Sequence, residues 1–134
     1  MIFTKWLASS RSWTTSNLFI GTDIVSVKRI KQLLSKHGDR FKNKIFSPQE
    51  IAYCDGKFDP AIHFAGRFVA KEAIKKCFLS SELVMRMGFN EIEILPSPSG
   101  APIVSEIYEY NYSDLKVSIS HEFEYAIGMA ILTI

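Results

Sequence analysis

Apolar positions along the chain change their period, and each change marks an element. "LFIGTDIVSV" (18–27) is dense in β-branched and aromatic residues, which predicts a mostly buried strand. Beyond it Ile30, Leu33, Leu34 and His37 fall on one helical face, with Ser26 placed to cap that helix and Gly38 to stop it. A second short helix begins in "FSPQEIAYC". There Ser47 stands at the N-cap, Pro48 in the first turn, and Glu50 three residues after Ser47, the spacing of a capping box. "DGKFDP" (55–60) reads as a turn, and a third helix follows, ending near Phe78 or Leu79.

The second half switches to a period of two. "FNEIEIL" alternates acid and apolar as a half-exposed strand does, and "PSPSGAP" (96–102) is a tight turn into the strand "IVSEIYEY". "LKVSIS" and "EYAIGMAILTI" are two final strands flanking Ser120, His121 and Glu122. Helices gather early and strands late, with one strand at the start. This predicts an α+β fold, an antiparallel sheet packed against helices, rather than alternating βαβ units. With 134 residues and no internal repeat or linker, the chain provides one modest core, expected over 18–134.

The third helix, "HFAGRFVAKEAIKKCF" (63–78), carries an electrostatic difficulty. Arg67, Lys71 and Lys75 stand four apart, and like charges at that spacing oppose each other. The neighbouring row, Phe64, Phe68, Glu72 and Lys76, sets an acid in line with two aromatics. Glu72 either pairs with Lys76 at i,i+4 or serves a ligand. Asp23 lies amid Phe19, Ile20, Ile24, Val25 and Val27, where a carboxylate needs a cation or good donors; it either binds one or caps the next helix. Two carboxylates beside several bases suit Mg²⁺ on a pyrophosphate, because this ion takes one or two carboxylates plus phosphate oxygens. Arg and Lys would neutralise the remaining phosphate charge. His121, at a strand junction among polar groups, is either a packed histidine or a binding group.

Composition narrows the partners. The chain is 47% hydrophobic and 22% charged, an ordinary globular balance. No apolar run approaches the ~18–20 residues of a membrane span. The first seventeen residues, "MIFTKWLASSRSWTTSN", hold Lys5 and Arg11, many hydroxyl residues and no acid. That is the composition of a mitochondrial transit peptide, so 1–17 is expected to be a targeting segment and the matrix the destination. Without Lys5 and Arg11 the rest of the chain holds 14 basic and 14 acidic residues, a balance that argues against nucleic-acid binding. Within it, seven bases between Lys28 and Lys44 face Asp39 alone, which suggests an acidic docking partner. Cys54 and Cys77 have neither zinc spacing nor a disulfide pattern.

Taken together, "GTDIVSVKRI", "FSPQEIAYC", "FAGRFVAKEAIKKCF", "GAPIV" and "VSISHEFEYAIGMAI" resemble, in order, the holo-acyl-carrier-protein synthase family of 4′-phosphopantetheinyl transferases, over residues 18 to 134. The resemblance implies that family's fold, with one long helix carrying the K-E-A-x-x-K motif. It implies transfer of 4′-phosphopantetheine from coenzyme A to a serine of an apo acyl carrier protein, with release of 3′,5′-ADP. It also implies Mg²⁺ dependence and a homotrimer with active sites between subunits. Carried over by motif, Asp23 and Glu72 would hold the metal. Lys76 would contact the transferred phosphate or its neighbour. Arg67 and His121 would reach the phosphates at the adenosine end, with Lys71, Pro102 and Ser120 as further coenzyme contacts. Arg29, Leu33 and Lys36 would receive the carrier protein. Glu72, directly or through a metal-bound water, would take the serine proton. Two departures stand out: "FLSSELVMRMGF" replaces a glycine-rich loop after the helix, with Leu79 at the first glycine position, and Ala101 replaces a base in the later turn. The competing readings are a non-catalytic coenzyme A or nucleotide sensor and a Mg-dependent pyrophosphatase.

Overall fold

The computed structural model describes residues 17–107 and 110–134, so all of the proposed targeting segment except Asn17 lies outside the described residues. Strand β1 (Leu18–Ser26) leads into helix α1 (Val27–Ile45), and the Ser26 side chain accepts a hydrogen bond from the Arg29 N–H at 3.3 Å. Gly38 does interrupt α1, with φ 49° and ψ −127°, but the chain does not stop there as expected. It returns to helix because its second half has apolar surface to bury. Ile45 and Phe46 are in the core, Phe41 packs edge-on to Phe46, and Phe46 lies 4.9 Å from the Phe64 ring.

Helix α2 (Pro48–Asp55) opens on the predicted capping box: Glu50 N–H donates to Ser47 Oγ at 3.2 Å, and Ser47 N–H donates to Glu50 Oε1 at 2.8 Å. Helix α3 (Pro60–Ser80) is the long one, starting at Pro60 in the first-turn position where a missing N–H costs nothing. A 3₁₀ turn (Phe89–Glu91) precedes β2 (Ile92–Pro96), and β3 (Pro102–Ile107), β4 (Asp114–His121) and β5 (Tyr125–Thr133) complete the fold. Among the described residues the strands form two antiparallel sheets rather than one. The larger has the order β1-β5-β4, and β2 pairs only with β3.

Two glycines set the distance between α3 and the large sheet. A Cβ on Gly21 would stand 1.9 Å from the Ala73 carbonyl oxygen, and one on Gly128 would stand 2.5 Å from the Val69 carbonyl. Only glycine lets backbone meet backbone this closely. Gly128 is the cross-strand partner of Asp23, so Asp23 is brought beside the middle of α3. The opposite face of the sheet is apolar yet exposed, with Leu18, Ile20, Ile24, Ile127 and Met129 all accessible.

Candidate active site

Asp23 and Gly128 share the sheet face turned to α3, and that register builds the first half of the site. Lys76 reaches from α3 to β1, donating to the Thr22 carbonyl at 2.7 Å and to Asp23 Oδ1 at 3.0 Å. Glu72, one turn earlier on the same row, has Lys75 at 3.7 Å as its ion-pair partner among the described residues. The expected Glu72–Lys76 pair gives way because Lys76 is held by β1. Asp23 is thus held by Lys76 at the α3–β1 crossing, and Glu72, also half-buried, pairs with Lys75 one turn earlier on α3. No group of three or more metal-ligating side chains gathers among the described residues. The donor set present fits Mg²⁺, which fills most of its shell with water and phosphate oxygens.

The three-cation ridge on α3 resolves differently from the expectation that a ligand offsets it. Lys75 lies 3.9 Å from the Phe89 ring centre, in addition to its contact with Glu72. Lys71 is not a coenzyme contact. Its side chain is fully buried, with Nζ 2.6 Å from Glu50 Oε1, and it donates to the Ile45 carbonyl at 2.7 Å and the Phe89 carbonyl at 3.2 Å. Burial lowers the Lys71 pKa from its ordinary value, and the Glu50 carboxylate opposes that shift. Glu50 also accepts from the Ile94 N–H at 3.1 Å, so this pair ties α1, α2, α3 and β2 together. Removing either partner would strand a buried charge, at a cost of about 3–5 kcal/mol. The capping box announced Glu50 in the sequence; its long-range partner was not legible there.

Arg67 belongs to the second half of the site. It is 6% exposed, its guanidinium carbon lies 4.1 Å from the centre of the Tyr53 ring, and its buried Nε has no hydrogen-bond partner among the described residues. Nearby, the His63 ring packs edge-on to Tyr53 at 5.9 Å and to His121 at 5.8 Å, while Lys57 Nζ sits 4.5 Å from the Tyr53 ring. His63 and Tyr53 were not singled out from sequence. His63 stands four before Arg67, a legible spacing, but its partner His121 is on a distant strand.

The remaining expected contacts are dispersed. Ser120 alternates with His121 along β4, as period two requires, and both border a shallow groove with Ile24, Glu122, Tyr125 and Ile127. Pro102 opens β3 beside a different cavity lined by Tyr112, Asp114 and Lys116. On α1, Arg29 and Lys36 are exposed, whereas Leu33 packs partly against the core. Lys28, Lys31, Gln32, Ser35 and Lys36 line an open basic groove there. Past α3 the chain turns without glycine. Ser81 Oγ donates to the Phe78 carbonyl and accepts from the Leu83 N–H, and Glu82 takes a left-handed φ of 61°.

The two halves do not meet in one chain. His63 and Glu72 are nine residues apart, about 180° around an α-helix. His63 contacts β4 through His121, while Lys76, in the row of Glu72, contacts β1. These strands are the two edges of the large sheet.

A model of the 4′-phosphopantetheinyl transferase superfamily matches residues 19–130. The holo-acyl-carrier-protein synthase of Chlorobaculum parvum is 39% identical over 113 residues, covering 84% of this chain and 96% of that relative. The crystal structure of holo-acyl-carrier-protein synthase from Neisseria meningitidis is similar with a TM-score of 0.75 at 30% identity, covering 87% of this chain and 98% of that one. The Chronobacterium ammoniagenes ACPS–CoA complex is similar with a TM-score of 0.74 at 28% identity, covering 87% and 96% of the two chains. Paired carboxylates with lysines, and a separate arginine–histidine cluster, give the fold the equipment to handle phosphate esters. More particularly, the chain belongs to the 4′-phosphopantetheinyl transferase superfamily.

Proposed function

We propose that the chain transfers 4′-phosphopantetheine from coenzyme A to a serine hydroxyl of an apo acyl carrier protein, releasing 3′,5′-ADP. The observation that carries this reading is the Lys76–Asp23 contact at the α3–β1 crossing, with Glu72 one turn earlier on α3, in a chain of this superfamily. The serine oxygen forms a bond to the phosphorus that bears pantetheine as the bond from that phosphorus to the bridging oxygen breaks. The bridging oxygen leaves with 3′,5′-ADP. Lys76 neutralises charge on the phosphate oxygens, and Glu72 takes the serine proton. Asp23 and Glu72 would hold Mg²⁺, which supplies charge neutralisation on the pyrophosphate.

The active assembly is a homotrimer whose sites lie between subunits. In each, one chain contributes Asp23, Glu72 and Lys76, and the next contributes Arg67 and His121. Two features support this: the halves lie on opposite flanks of α3, and the outer sheet face leaves Ile20, Ile24 and Ile127 exposed at 55%, 59% and 46%. An apolar patch of this kind is a usual mark of an interface. Arg29 and Lys36 on α1 receive the acidic carrier protein. The address is the mitochondrial matrix, a reading supported by the acid-free composition of residues 1–17. A fluorescent reporter fused to residues 1–20 should enter mitochondria, and a diffuse cytosolic signal would refute that address.

The deciding experiment incubates an apo carrier protein with the chain, coenzyme A and Mg²⁺ and weighs the carrier by mass spectrometry. A gain of one phosphopantetheine is expected. Free phosphopantetheine with an unmodified carrier would instead establish a hydrolase, and no change in either would leave a coenzyme sensor.

A further inference from the structure

His63 lies in the Arg67 cluster, the reaction does not use it, and its surroundings are unusual for a histidine. The groups around it come from every packed element: Tyr53 on α2, Lys57 and Asp59 in the loop after it, Arg67 one turn along α3, and His121 on β4. Three of these, Lys57, Arg67 and His121, are basic and one, Asp59, is acidic. Asp59 is also drawn outward, lying 3.9 Å from Lys31 on α1. Burial, then His121, Arg67 and Lys57 in turn, lower the His63 pKa from its ordinary value, and Asp59 opposes them. Positive groups are crowded here with too little negative charge beside them. Close by, the guanidinium Nε of Arg67 is buried without a hydrogen-bond partner among the described residues. A buried donor left unmet is destabilising, so the cluster is incomplete without an acceptor.

We propose that His63 is a further binding residue of this subsite. Beside His121 and Arg67 it holds a phosphate monoester dianion and couples its binding to the uptake of a proton. The inference rests on the reading that Arg67 and His121 reach phosphate at the adenosine end of the coenzyme. A dianion placed among these groups favours the imidazolium form of His63, which its basic neighbours otherwise disfavour. The proton comes from solvent and returns there on release. With the His63 pKa depressed in the free protein and restored by the anion, affinity is greatest in mild acid and falls as pH rises through the bound-state value. The chain would therefore hold its spent nucleotide more tightly as the surroundings acidify.

The test is calorimetric titration of the full chain with adenosine 3′,5′-bisphosphate between pH 6 and pH 8, in buffers of different ionisation enthalpy. The wild type should take up protons on binding. His63→Phe and His63→Gln, one apolar and one polar replacement, should each bind about tenfold more weakly at the acid end. Their proton uptake should be smaller, and their deficit should shrink toward pH 8. If either folded variant keeps both wild-type affinity and wild-type proton uptake, the role of His63 is overturned. Arg67→Met and adenosine 5′-monophosphate separate that result from failure of the underlying reading. Weak binding by both leaves the subsite in place without His63. Wild-type binding by both removes the subsite, and the proposal with it.

Discussion

Single residues decide the chemistry at the α3–β1 crossing. Asp23→Ala and Glu72→Gln should each reduce transfer at least a hundredfold, because each removes a carboxylate that would hold the Mg²⁺ offsetting the pyrophosphate charge. Thermal melts of both variants should stay close to the wild type, since the two carboxylates are half-buried and, among the described residues, each pairs with one lysine. Single-turnover assays in Mg²⁺ check this, and near-normal rates in either variant would remove that residue from the metal site. Glu82 makes a separate point about strain. It holds a left-handed φ of 61°, and an L-residue there costs roughly 1–2 kcal/mol. Glu82→Gly should thus stabilise the fold by about 0.5–1 kcal/mol, after the entropy that glycine adds to the unfolded chain. A lower midpoint in urea than the wild type would show that this φ is not strained.

At the scale of elements, α1 offers a basic groove and α3 a ligand face, and the two should separate kinetically. Arg29→Glu should raise the KM for acyl carrier protein about tenfold or more while leaving the KM for coenzyme A near its original value. Equal damage to both would mean that α1 supports the fold instead. Added salt should weaken the wild type in the same selective way, since exposed charges are screened over about 8–10 Å. The elements themselves were largely legible in the sequence, because caps and periodicity are local. Ser26 and Ser47 announce their helices by hydrogen bonds that span three residues. What periodicity could not convey was anything closed by distant partners. The helical return after Gly38 depends on Phe46 meeting Phe64, and the burial of Lys71 depends on a carboxylate 21 positions away in the chain. The contact between His63 and His121 spans about half the domain. Like-charge spacing on α3 was visible, but its resolution by aromatic rings and a buried acid required the fold.

For the whole molecule, the division of the site across α3 gives a test by mixing. Asp23→Ala and Arg67→Met should each be inactive alone. Co-expressed and assembled together, they should regain a measurable share of wild-type activity, because some interfaces then pair an intact Asp23 flank with an intact Arg67 flank. Absence of any recovery in verified mixed assemblies would place both flanks of a site in one chain. The buried Glu50–Lys71 pair has a different consequence, one for chemical labelling. Lys71, Lys75 and Lys76 lie within two turns of one helix, yet their side-chain exposures are 0%, 19% and 50%. An amine-reactive ester should modify Lys76 within its ordinary reaction time and Lys75 more slowly. Lys71 should react only when α1, α2 and α3 come apart together, because its ammonium is bonded to Ile45 at the end of α1, to Glu50 on α2 and to Phe89 in the turn before β2. Its labelling rate, followed by peptide mass spectrometry in rising urea, should therefore track global opening of the chain, a built-in clock beside two surface controls.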